Sequence, residues 1–232
     1  MIPLRHTLER RLTPYVNQGL VAANVVVFIA QLLMGAMTER VIQTFGYIPA
    51  RLASPAAFSY APWEVAITLV SSLFLHGGVV HLVGNLIYLW VFGGAVEDAL
   101  GHARYFLFYV ACGAFGSLAH TMLFPASVIP SIGASGSIAG ILGAFYVLRP
   151  HARIVTLFPL VVYWAMAELP ATLFLPVWFG MQFFNGFLSL EAARSTEEVA
   201  GIAWWAHVGG FVIGAAIALI VRGMARRRSA EV

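Results

Sequence analysis

The sequence contains no lysine, one cysteine and few charges of either sign. Charged residues make up 10% of its 232 residues, where a soluble domain carries about 25%. That is too little charge to cover a water-facing surface, so the composition excludes an ordinary soluble domain and makes lipid the expected solvent. Cys112, alone, cannot form an intramolecular disulfide, and no Cys/His spacing suits an ion, so no metal is expected. The pI is near 9.3, yet the basic residues, all arginine, form no patch with interleaved aromatics. Nucleic acid is therefore not expected as a partner. No fixed-period repeat and no low-complexity segment is present.

What is present is apolar. Hydrophobic residues make up 60% of the chain, and the mean hydropathy is +0.85. A membrane span needs about 20 apolar residues, and the pattern predicts six, at 18–37, 79–98, 104–124, 135–149, 167–187 and 202–221. The first run is followed by others, so it is read as a retained span and not a cleaved signal. The connection 38–75 is too apolar for a plain linker and is expected to pack on the bundle or lie in the interface. Residues 154–166 are read as interfacial. The expected division is an N-terminal segment 1–17, a six-helix domain 18–221 and a basic tail 222–232. The fold class expected is an all-α membrane bundle.

Arginines set the orientation. With six spans, one side holds Arg5, Arg10, Arg11, Arg104, Arg149, Arg153, Arg222, Arg226, Arg227 and Arg228. The other holds Arg40, Arg51 and Arg194. Ten against three of 13 places both termini in the cytoplasm.

Polar residues inside spans are costly and default to functional candidates. Three stand out: Asn85, Ser135 and His207. Each lies on a span descending inward, 15 or 16 residues from its inner end (Gly101, Pro150 and Arg222). At about 1.5 Å per residue the three share one depth, about 6–8 Å below the outer surface. A serine hydroxyl needs a base, which His207 can be. A developing oxyanion needs donors: the Asn85 amide, the Ser135 N–H at a helix start, and His81 one turn from Asn85. Gly210 and Gly214, like Gly136 and Gly140, are four apart, a spacing that lets two helices approach closely.

The stretches G-A-S-G at Gly133–Gly136, A-H-V-G-G-F-V-I-G at Ala206–Gly214 and H-L-V-G-N at His81–Asn85 resemble the rhomboid family of intramembrane serine proteases. F-G-G-A-V-E-D-A-L-G resembles the family's G-x-x-x-E element and carries Glu97. F-L-H-G-G-V-V-H, P-H-A-R-I-V-T-L-F-P and W-F-G-M-Q are similar to bacterial members. The likeness runs from Leu69 to Gly214 and implies the basic six-span form. It implies a Ser135–His207 dyad and an oxyanion site of His81, Asn85 and the Ser135 amide. It implies substrates that are transmembrane segments of other proteins, cut near the outer surface without metal or cofactor, in a bacterial cytoplasmic membrane. Three departures stand out. Ile67-Thr68 replaces a Trp-Arg pair in the first loop, Ala99 replaces an arginine that partners the glutamate, and Ala139 replaces a tyrosine found under the histidine.

Plainer readings compete at single residues. Ser135, Asn85 and the glycines suit helix packing. His76 and His81 suit an interfacial position, Glu168 a structural role, Glu191, Glu197 and Glu198 a solvated loop, and Trp178, Trp204 and Trp205 interface anchoring. The polar stretch 189–201 is the expected cap over the site, with the fifth span as gate. Two whole-chain alternatives are a non-catalytic membrane-protein-binding relative and a small transporter with a polar path through Asn85, His207 and Glu168. No inverted repeat favours the transporter.

Overall fold

The computed structural model of the chain describes residues 1–9, 11–54, 61–159, 164–195 and 202–230. Its helices are α1 (Tyr15–Leu33), α2 (Thr38–Phe45), α3 (Pro49–Ala53), α4 (Pro62–Ser71), α5 (Val79–Leu100), α6 (His102–Leu123), α7 (Ser135–Leu148), α8 (Ala171–Ser195) and α9 (Trp204–Ala230). Of these, α1, α5, α6, α8 and α9 are long and apolar enough to cross a membrane. The remaining predicted span is α7, a shorter apolar helix of 14 residues. The protein is a helical, multi-pass integral membrane bundle.

The short helix is the centre. Every residue of α7 from Gly136 to Phe145 is buried, chiefly against α9 and then α6 and α5. The outer helices turn apolar side chains outward, as Val26 and Leu33 on α1, Leu107 on α6 and Ile220 on α9 do. Such a surface suits lipid. Polar side chains point inward instead. On α1, Asn17, Asn24 and Gln31 are seven apart and all buried, so they share one face. Asn17 Nδ2 donates to the Leu89 carbonyl at 3.1 Å, and the Tyr105 hydroxyl donates to Asn17 Oδ1 at 2.7 Å. A Cβ on Gly93 would lie 1.9 Å from Asn17 Oδ1, so that helix crossing requires glycine.

The α6, α7 and α9 contact is a seam of bare backbone. A Cβ on Gly210 would lie 2.1 Å from the Gly136 carbonyl oxygen, and one on Gly214 would lie 2.1 Å from that of Gly140. A Cβ on Gly116 would lie 2.5 Å from the Ala206 carbonyl oxygen. No side chain fits, so the helices touch main chain to main chain, as small-residue spacing permits.

Two regions differ from expectation. Residues 154–166 are not a simple interfacial stretch. Residues 154–159 fall in strand β2 (Arg153–Pro159) and 164–166 in β3 (Trp164–Pro170), antiparallel, with Ile154 opposite Leu169. The N-terminal segment adds β1 (Ile2–His6), giving the sheet order β1-β2-β3. The physical reason is composition: R-I-V-T-L-F-P is rich in β-branched and aromatic residues and ends at proline. Ile154 and Thr156 are fully buried while Arg153 is exposed, which is the alternation of a half-buried strand. Consequently α8 begins at Ala171, four residues later than expected, directly after Pro170. The polar stretch 189–201 is helical to Ser195; the rest of that expected cap, with Glu197 and Glu198, lies outside the described residues.

The connection 38–75 packs on the bundle, as its composition predicts. Tyr47 is fully buried, and its hydroxyl bonds to Thr121 Oγ1 at 2.7 Å. Its backbone pairs with Ser131 in both directions, at 3.2 and 2.7 Å. The loop is thus anchored by Tyr47, while Thr68 bonds only within α4, to Val65 O.

Candidate active site

α5, α7 and α9 run in parallel and begin at the same end of the bundle, where a cavity of about 840 Å³ opens. Ser135, His207, His81, Asn85, Trp178 and Gln182 line it. All four residues singled out for chemistry therefore share one enclosed space.

Ser135 is the first residue of α7. The preceding Ala134 offers no side-chain cap, so the first-turn N–H groups and the positive end of the helix face the cavity. Gly133 makes this turn with φ +115° and donates its N–H to Ser72 O at 2.8 Å. A Cβ there would lie 2.7 Å from His81 Nε2 and 3.4 Å from Asn85 Nδ2. Backbone conformation and space thus both require glycine. Gly136 differs: a Cβ would lie 3.6 Å from Ala206 O, an ordinary contact. Its contribution is its carbonyl, against which Gly210 packs.

His207 sits in the first turn of α9 and is 8% exposed. Its Nδ1 lies 2.8 Å from Gln182 Oε1. Its ring lies edge-on to Trp204 at 5.9 Å and tilted against Trp178 at 6.3 Å. Ser135 and His207 face the same cavity without a direct hydrogen bond among the described residues. Apo catalytic contacts are commonly loose and tighten with substrate.

Asn85 Nδ2 lies 2.9 Å from His76 Nε2. His76 Nδ1 lies 3.2 Å from Phe74 O, which can only accept. The His76 proton is therefore on Nδ1, Nε2 accepts, and Asn85 donates one amide hydrogen to it. The second amide hydrogen remains for the cavity. Gln31 brackets the His76 backbone, accepting from its N–H at 3.0 Å and donating to its carbonyl at 3.1 Å. Burial, then the neighbouring His81, pushes the His76 pKa down to about 4. His81 Nδ1 accepts a long bond from Gly77 N–H at 3.4 Å, which leaves its proton on Nε2 beside Gly133.

Glu97 lies at the opposite end of α5, fully buried. It accepts from the N–H groups of Val16 and Asn17 at 3.0 and 2.8 Å, and from His102 Nδ1 at 2.5 Å. A carboxylate at the start of α1 meets the positive helix end, and His102 stands in for the partner absent at Ala99. No aromatic stands at Ala139, and the rings against His207 are those of Trp178 and Trp204.

Several single-residue expectations are corrected. Trp178 and Trp204 pack their rings against His207, and Trp178 also lines the cavity. Trp205 donates to Gly186 O at 3.0 Å and ties α8 to α9. His76 is 1% exposed and bonded to Asn85, so it is packed inside the protein. Glu168 is not in a span: it accepts from Arg153 Nε at 2.6 Å across β2 and β3. Gln182 was missed as a site residue, although a lone amide in W-F-G-M-Q amid an apolar run carries the same signal as Asn85.

The model of the rhomboid domain matches residues 63–224. The chain is 39% identical over 93 residues to "Rhomboid protein 1, mitochondrial" of Saccharomyces cerevisiae, covering 38% of this chain and 27% of that protein. It is 45% identical over 76 residues to "Rhomboid protease GluP" of Bacillus subtilis, covering 33% of this chain and 14% of that protein. It is 26% identical over 206 residues to "Presenilin-associated rhomboid-like protein, mitochondrial" of Bos taurus, covering 84% and 46%. The matched segments span less than half the length of each of these relatives.

Proposed function

The chain belongs to the rhomboid family, and on that premise we propose that it is an intramembrane serine protease whose nucleophile is Ser135 and whose base is His207. One observation carries the reading: Ser135 at an uncapped helix start, His207, His81 and Asn85 all line a single cavity.

In this reading His207 Nε2 takes the proton of Ser135 Oγ as that oxygen attacks the scissile carbonyl. The oxyanion accepts from the free Asn85 amide hydrogen, His81 Nε2–H and the Ser135 N–H. His207 then gives its proton to the leaving amine, and water hydrolyses the acyl-enzyme by the reverse sequence. No step calls on a metal or cofactor.

The substrates are transmembrane segments of other proteins. α7 has 14 residues, about 21 Å of helix in a hydrocarbon core about 30 Å thick. If its far end sits at the inner surface, Ser135 lies about 9 Å below the outer one. The cavity supplies the water. The arginine distribution supports cytoplasmic termini with the site toward the outer side of a bacterial cytoplasmic membrane. Relatives named as mitochondrial keep an organelle membrane as the contrasting case.

The test is labelling of the purified protein by a fluorophosphonate, with cleavage of a transmembrane reporter alongside. Ser135→Ala and His207→Ala are expected to lose both. Asn85→Ala is expected to lower kcat by about 10²–10³-fold. The missing direct Ser135–His207 bond favours one rival, a non-catalytic membrane-protein-binding relative. Absence of labelling and of cleavage in the parent would establish that rival, and full cleavage by Ser135→Ala would remove Ser135 as the nucleophile.

A further inference from the structure

Gln182 lies on α8 one turn beyond Trp178, and both side chains reach across to α9. Gln182 is 8% exposed. Its Nε2 lies 3.4 Å from the Trp178 carbonyl oxygen, which accepts only. That contact identifies the amide nitrogen, so the atom 2.8 Å from His207 Nδ1 is the amide oxygen. An oxygen acceptor requires a hydrogen on Nδ1. A neutral imidazole with its hydrogen on Nδ1 has a bare Nε2.

We propose that Gln182 is a positioning residue that fixes the tautomer and ring orientation of His207, taking the place a buried carboxylate holds in serine triads. This rests on the protease reading. Among the described residues, the hydrogen bond to Gln182 is the polar contact that holds the His207 ring. The walls, Trp178 and Trp204, restrict tilt but cannot choose a nitrogen. A neutral amide suits the location, because a carboxylate buried among apolar helices is costly to ionise.

The arrangement has a second consequence. Gln182 and Trp178 belong to α8, whereas Ser135 and His207 belong to the α7–α9 seam. α8 makes far less contact with α7 and α9 than those two make with each other. The base is therefore set by a helix that is not fused to the one carrying it. Displacement of α8 frees the imidazole, and return of α8 restores Nε2 as acceptor. Seating of α8 and readiness of the base become one event.

The experiment compares kcat, KM and their pH dependence for the parent, Gln182→Leu and Gln182→Glu in liposomes with a transmembrane reporter. The ionisable groups that act on His207 are His81 on α5 and His120 on α6, unchanged in all three proteins. Loss of the orienting partner in a triad costs up to about 10⁴ in kcat. The Leu variant is expected to lose at least about tenfold in kcat with KM held within about twofold. The Glu variant is expected to stay active with its acidic limb moved to higher pH, because a carboxylate favours the imidazolium. ¹⁵N spectra of His207, assigned by its disappearance in His207→Ala, should show the Nδ1–H form in the parent and a mixture in the Leu variant. A Leu variant with parental kcat and tautomer overturns the proposal. If the Leu variant does not fold, the Glu variant decides, and a pH profile superimposed on the parent's overturns it. Either failure with an inactive Ser135→Ala leaves the protease reading intact; an active Ser135→Ala removes both.

Discussion

Asn85 donates to His76 at 2.9 Å, and it can do so only while His76 Nε2 is unprotonated. The His76 pKa of about 4 lies below the ordinary 6.5. Between those values the unfolded chain binds more protons at this position than the folded one. The stability from neutral His76 is thus complete above about pH 6.5 and is lost as pH falls toward about 4. Unfolding midpoints in detergent, followed over that window, should drop for the parent and drop less for His76→Gln. Identical slopes would show that His76 does not couple to folding.

Gly210→Ala and Gly214→Ala should each be severe. The new methyl would meet a carbonyl oxygen at 2.1 Å, and neither partner is a side chain that can swing away. A loss of at least about 3 kcal/mol is expected, at the upper end for overpacking. Gly19→Ala on α1 is the control, with nothing within 4 Å of its Cβ, and should be neutral or gain up to about 1 kcal/mol. Equal midpoints for Gly210→Ala and Gly19→Ala would refute the backbone seam.

Gly133→Ala separates catalysis from folding. The methyl would press on His81 Nε2 and Asn85 Nδ2, at a φ that alanine rarely adopts. On the proposed mechanism, displacing these two donors should lower kcat by about 10²-fold or more. Fluorophosphonate labelling should slow in step. Unchanged kcat would mean that these donors are not used.

Glu97→Ala should act on stability alone. It strands the buried N–H groups of Val16 and Asn17 and removes the partner of His102. Hydrogen bonds to a charged group contribute about 1.5–3 kcal/mol each, so a loss of several kcal/mol is expected. Protein that remains folded at low temperature should still label at Ser135. A folded but unlabelled variant would tie Glu97 to the chemistry.

The helices were legible because lipid forces a simple rule: long apolar runs are spans, and polar residues inside them face inward. That rule placed Asn85, Ser135 and His207 on parallel helices that open on one cavity. It failed where local β propensity prevailed. I-V-T-L-F could be a membrane surface helix or a strand by hydropathy, and its pairing with residues 2–6 on one side and 164–170 on the other decides. It also failed at tryptophan, since Trp178 has the composition of an interface anchor but lines the cavity beside His207. Gln182 was readable by the same rule as Asn85. What sequence could not supply was its partner, because the contact joins residues 25 apart on two helices.

The shortness of α7 bears on how the protein is made. A segment of 14 residues rich in glycine, alanine and serine is a poor candidate for independent insertion by the translocation machinery. Its stability comes from the glycine seam with α9, which leaves the ribosome later. The helix bearing Ser135 can therefore settle only after α9 has arrived. Until then Ser135 has neither His207 nor the cavity wall beside it. A nascent chain stalled before α9 on this account lacks the assembled cavity, so completion of the chain and completion of the site coincide.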